Sequence, residues 1–176
     1  RTKLGGQGAL VYLAGEEAGG NLAAAVALMA RDQAHPPLAG QILLSPMLDP
    51  CVGSASQRRT TGDAVDCKWV QGWRNFLRCP RDAEHPYAVP ASAHRLAGLP
   101  PTLVLVGDTD PMRDEALAYA ARLHAAGLQV TQHVFAKAEK WPEPLLETGP
   151  HECPCAGAVQ EEFRRFFEAT RCRESS

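Results

Sequence analysis

The stretch Ala9-Leu10-Val11-Tyr12-Leu13-Ala14-Gly15-Glu16-Glu17-Ala18-Gly19-Gly20-Asn21-Leu22-Ala23 decides how this chain is read. Ala9 to Ala14 is an unbroken apolar run that ends on glycine, the pattern of a strand buried on both faces. An alanine-rich segment from Asn21 to Ala30 follows almost at once and has the composition of a helix. Between them stand Gly15, Glu16, Glu17, Ala18 and Gly19: a glycine, a residue, a central residue, a residue and a second glycine. A strand that turns this sharply into a helix makes a nucleophile elbow, which lifts the central side chain above the sheet. The glycines are expected to be a steric need, because side chains there would crowd a strained turn. Glu17 takes the raised position, and the backbone N–H of Ala18 is placed to serve as an oxyanion donor.

Working outward, Leu22, Val26 and Met29 share one face of the helix from about 21 to 30. Gln41 to Leu44 reads as a second buried strand. Asp49 to Pro100 is a polar, proline-marked loop region, interrupted by a helical patch around Trp69, Trp73 and Phe76. Thr102–Val106 and Val130–Phe135 read as two further strands, with a helix from about Arg113 to Ala126 between them and Gly127 at its C-terminal stop. Val159, Phe163, Phe166 and Phe167 put one apolar stripe on a last helix. Alternating strands and helices predict an α/β fold, a mostly parallel sheet with helices on both faces, in a single domain over residues 1–176. In such sheets the chemistry sits at the carboxyl ends of the strands.

Composition narrows the function. Of 176 residues, 45% are hydrophobic and 22% charged, with a net charge of −2, the balance of an ordinary globular domain. Basic residues are scattered, so no nucleic-acid partner is expected, and no apolar run is long enough to span a bilayer. The cysteines are Cys51, Cys67, Cys79, Cys153, Cys155 and Cys172. A chain of this size needs no disulfide frame, and Cys153 and Cys155 lie too close together for a zinc pair. Free thiols, a reducing compartment (the cytoplasm by default), no metal and no cofactor are the expectation.

The elbow resembles the Gly-Asp-Ser-Ala-Gly-Gly-Asn segment of hormone-sensitive-lipase-like esterases of the α/β-hydrolase fold, with Glu16 for the aspartate and Glu17 for the serine. The resemblance continues through Gln41-Ile42-Leu43-Leu44-Ser45-Pro46-Met47-Leu48-Asp49, His85-Pro86-Tyr87-Ala88 and Leu99-Pro100-Pro101-Thr102. It reaches Gly107-Asp108-Thr109-Asp110-Pro111-Met112-Arg113-Asp114, which is similar to the family's acid-bearing loop. Carried over by position, the resemblance puts Glu17 at the nucleophile position and Asp110 at that of the acid which orients the histidine. Asp110 also suits a turn before Pro111, and Asp114 and Glu115 suit the dipole of the following helix. The family's histidine sits in a loop reading approximately Pro-Gly-x-x-His-Gly-Phe. Lys140 aligns with it in Phe135-Ala136-Lys137-Ala138-Glu139-Lys140-Trp141, whereas His151, in Gly149-Pro150-His151-Glu152, is the chemically better base. Both stay open, His151 having also the character of an exposed loop residue.

The resemblance implies a carboxylesterase- or lipase-like protein for small hydrophobic ester-like substrates. Glu17 cannot act as the serine does, and its charge opposes a developing oxyanion. Three alternatives follow: a carboxylate nucleophile that opens epoxides through a covalent ester, a general acid or base paired with Lys140 in non-hydrolytic chemistry, or a ligand- or partner-binding fold without catalysis. The family's His-Gly-Gly-Gly oxyanion loop and the first half of its sheet would lie upstream, and Arg1 to Gly8 holds no such loop. The chain therefore reads as the C-terminal portion of the fold, with its first strand an open edge. A longer polypeptide, self-association or a complementing N-terminal half is expected to cover that edge.

Overall fold

The computed structural model describes residues 6, 9–61, 68–137, 141 and 154–171. Four strands, β1 (Tyr12–Glu16), β2 (Gly40–Leu44), β3 (Thr102–Gly107) and β4 (Val130–Phe135), form one sheet in sequence order. Every pairing is parallel, with Gly15 opposite Leu43 and Leu43 opposite Val104. Helix α1 (Ala18–Asp32) joins β1 to β2, and α4 (Arg113–Ala125) joins β3 to β4. The β2–β3 connection carries α2 (Ala55–Thr61), α3 (Lys68–Phe76) and two short 3-10 turns, Pro80–Glu84 and Pro90–Ser92. Helix α5 (Ala156–Arg171) closes the chain. No helix among the described residues is long and apolar enough to cross a membrane.

Successive strand residues point to opposite faces, and the core follows that alternation. Leu43 packs with Leu28 of α1 and with Tyr119 and Leu123 of α4. Ile42, Leu103 and Leu105 pack with Phe166 of α5 on the other face, where Val159, Phe163 and Phe167 also lie. The expected helices on both faces are therefore present, and β2 and β3 bury nearly every side chain. Tyr12 ties α5 to the edge of the sheet: its ring meets Phe166 and Phe167 edge-on, and its hydroxyl shares a 2.7 Å hydrogen bond with Thr170.

Three expectations need correction. The first strand begins at Tyr12 rather than Ala9 and is half-exposed, because it is an outer strand with β2 beside it. The Leu22, Val26 and Met29 face of α1 is the outward one, exposed by 51%, 44% and 36%. The helix instead buries Ala23, Ala24, Ala27 and Leu28, whose short side chains let its backbone lie close to the sheet. Cys51 and Cys79 are free thiols as expected, but Cys155 is disulfide-bonded, a pairing that spacing alone does not reveal.

Candidate active site

β1 ends at Glu16 and α1 begins at Ala18, so a single residue makes the turn. Glu17 sits at φ 46° and ψ −116°, in a region that costs a side-chain-bearing residue roughly 1–3 kcal/mol. Hydrogen bonds hold it there. Its N–H donates to the Leu44 carbonyl at 3.0 Å, and its own carbonyl accepts from the N–H groups of Gly20, Asn21 and Met47 at 3.0, 3.3 and 3.0 Å. The Ala18 N–H is in the first turn of α1, where helix geometry leaves amides without an intrahelical acceptor. An oxyanion donor requires that freedom.

The Glu17 side chain is about a third exposed, and the Lys68 ammonium on α3 stands 3.9 Å from its Oε1. Burial pushes the Glu17 carboxyl above its usual range; Lys68 pulls it down, while Glu16 and Asp110 push it up. An ion pair this long and this exposed contributes about 0–1 kcal/mol to stability, so its importance is the charge state of Glu17. Trp69 and Trp73, one helical turn apart, anchor α3 in a cluster with Met47, Val89 and Met112. The Lys68 ammonium also lies 5.1 Å from the centroid of the Trp69 ring. Substituting Lys68→Met is expected to move the Glu17 carboxyl further up, read from its carbon-13 resonance across a pH series. An unmoved titration would mean that Lys68 does not set this charge.

Asp110 follows β3 and is only 3% exposed. Its Oδ1 accepts the Met112 N–H at 2.7 Å, and its Oδ2 accepts the Ser45 hydroxyl at 2.5 Å and the Trp141 indole N–H at 3.0 Å. Asp110 shapes the turn into α4, and its carboxylate lies at the carboxyl end of the sheet near Glu17. Burial pushes the Asp110 carboxyl up, while these three donors and Lys68 pull it down. Asp114 and Glu115 both lie in the first turn of α4 as expected; Asp114 accepts the Ser56 N–H at 2.7 Å, and Glu115 is buried and also reaches across to the loop after β2. Lys140 and His151, the two candidates for the base, lie outside the described residues.

A largely apolar pocket of about 130 Å³ opens beside the elbow, lined by Ala18, Asn21, Leu22, Met47, Gly72, Trp73 and Phe76. Its walls come from α1, the loop after β2 and α3. Among the described residues no group of three or more His, Cys, Asp or Glu side chains is placed to hold a metal ion. Sequence reasoning missed Lys68, Ser45 and Trp141. The aromatic spacing of α3 was visible, but which end of that helix faces the elbow depends on contacts between distant segments.

The sequence profile of the α/β hydrolase fold matches residues 1–139. Esterase LipI of Mycobacterium tuberculosis is 33% identical over 70% of this chain and 39% of its own length. Gibberellin receptor GID1A of Arabidopsis thaliana is 38% identical over 68% of this chain and 36% of its own length. The crystal structure of esterase LipW from Mycobacterium marinum superposes with a TM-score of 0.74 at 31% identity, covering 90% of this chain and 49% of that one. The chain spans about two fifths of the length of the first curated relatives it matches.

Proposed function

The chain belongs to the α/β-hydrolase fold family, among its esterase- and lipase-like members, and on that premise we propose that it binds a small apolar, ester-like ligand beside Glu17 without hydrolysing it. One observation carries this reading: the residue held in the strained turn between β1 and α1 is a carboxyl group, Glu17, and not a hydroxyl. A serine at this position attacks after passing its proton to a base; a carboxylic acid has no comparable nucleophilic oxygen. When ionised, it sets a negative charge where an oxyanion has to grow. Loss of the nucleophile in a serine hydrolase lowers kcat roughly a millionfold.

The pocket supports the choice of ligand. Leu22, Met47, Trp73 and Phe76 offer apolar walls, and apolar sites with few polar groups suit small molecules. Glu17 adjoins the pocket residue Ala18 in the chain, and the Lys68 ammonium beside it is a donor that suits a carbonyl or ether oxygen. The relatives carry names of both kinds, esterase and receptor. The alternative is covalent: ionised Glu17 would attack an epoxide carbon, the C–O bond would open, and water would later cleave the ester. That route needs an acid to protonate the alkoxide released when the C–O bond opens, and then a base to activate the water.

The test uses p-nitrophenyl butyrate and tryptophan fluorescence. The chain is expected to show a saturable fluorescence change that is lost in Trp73→Ala, with p-nitrophenolate released no faster than in buffer. Release above the buffer rate that vanishes in Glu17→Ala would overturn the reading and favour catalysis through Glu17.

A further inference from the structure

Trp141 lies in the loop after β4, where the family resemblance puts the general base. Its ring stacks on Phe135 with centroids 4.8 Å apart and planes 19° apart. It also lies over Gly107 so closely that a Cβ there would come within 2.6 Å of its Cδ1. The indole is therefore seated between a phenylalanine and a residue that must be glycine, with its N–H turned to Asp110. That N–H is shared between Asp110 Oδ2 at 3.0 Å and Ser45 Oγ at 3.2 Å.

A carboxylate oxygen has two lone pairs. Those of Asp110 Oδ2 are met by Ser45 and Trp141, and Met112 N–H meets one on Oδ1. An acid that orients a base does so by accepting the base's N–H on such an oxygen. We propose that Trp141 stands in for the base, its indole N–H filling the contact on Asp110 Oδ2 that an orienting imidazole would make, so that this oxygen, with both lone pairs met, is held in a structural role. An indole N–H donates but cannot accept a proton, so proton relay stops at this contact. The inference rests on Asp110 and not on the pocket, so it stands or falls separately from the ligand reading above.

Two variants test it, and both leave Glu17, Lys68 and Glu115, the charged groups that act on Asp110 or respond to it, in place. Trp141→Phe keeps an aromatic ring against Phe135 and removes only the donor. The Asp110 carboxyl carbon, followed by NMR, is expected to titrate at higher pH than in the unaltered chain, because N–H donation favours the ionised form. Trp141→Ala opens a slot beside Asp110, and added imidazole is expected to raise its melting temperature saturably. The unaltered chain should lack that response, and so should the double variant Trp141→Ala/Asp110→Asn. An equal imidazole response in the unaltered chain, none in a folded Trp141→Ala, or an unmoved Asp110 titration in Trp141→Phe would overturn the proposal. Should Trp141→Ala fail to fold, the phenylalanine variant decides alone.

Discussion

Alanine at position 15 is expected to abolish the native fold. A Cβ on Gly15 would sit 2.1 Å from the Gly19 carbonyl oxygen, 2.3 Å from its carbon and 2.7 Å from the Gly20 nitrogen. All three are backbone atoms, so no side-chain rotation relieves the overlap. Relief requires β1 and α1 to separate, which would pull Ala24, Ala27 and Leu28 away from Leu43 and Leu48. A domain has only about 5–15 kcal/mol to lose. Gly19 is the internal control: a Cβ there meets nothing within 4 Å, and alanine is favoured over glycine in a helix by up to about 1 kcal/mol. Circular dichroism should therefore find no cooperative melt for Gly15→Ala and an unchanged or higher melting temperature for Gly19→Ala. Equal behaviour of the two variants would refute the steric account of this elbow.

That contrast marks where sequence reading stops. The pattern around Glu17 predicted the sharp turn, and β3 was legible because a buried apolar run of strand length has few other uses in an α/β chain. The same pattern treated Gly15 and Gly19 alike, whereas the crowded glycines of the elbow are Gly15 and Gly20, the latter because its Cβ would come within 2.8 Å of Pro46 Cβ. Pro46 belongs to a different βα connection, and no local rule brings it there. Which face of α1 is buried was not legible for a related reason. Periodicity selects the largest apolar side chains, Leu22, Val26 and Met29, but tight packing on a sheet selects the smallest.

The site divides along the same line. Glu17 and Asp110 were singled out because the family resemblance names their positions and each follows a strand, where topology brings residues to one end of the sheet. Lys68 and Trp141 reach the site through packing, one carried by the tryptophans of α3 and the other seated on Phe135 and Gly107. Both bear on the site: one stands 3.9 Å from the Glu17 carboxyl, and the other holds a contact on Asp110.

The second large effect is expected at Glu115, and it should depend on pH. This carboxylate is 7% exposed in the first turn of α4. It accepts the backbone N–H of Leu48 at 2.9 Å and that of Asp49, and the Gln57 amide donates to its other oxygen at 3.2 Å. It thus fastens the loop after β2, which carries Met47 into the pocket, to α4. Glu115→Ala would leave two backbone donors without their acceptor, at roughly 1–3 kcal/mol each. With a melting temperature that moves by roughly 2–4 °C per kcal/mol in a chain of this size, a fall on the order of 10 °C is expected. Burial pushes the Glu115 carboxyl up from 4.5 to about 8, against the pull of the two backbone donors. A group raised on folding binds its proton more tightly in the native state. Its stabilisation is fully present below pH 4.5 and is lost as pH rises through about 8. At about 1.4 kcal/mol per pH unit, that loss has an upper bound of roughly 5 kcal/mol. Glu115→Gln keeps an acceptor for Leu48 and Asp49 but cannot titrate. Urea melts of the two chains should agree near pH 5 and separate towards pH 9, with the glutamine variant the more stable. Parallel profiles across that range would show that Glu115 is ionised throughout, held there by its donors in spite of burial.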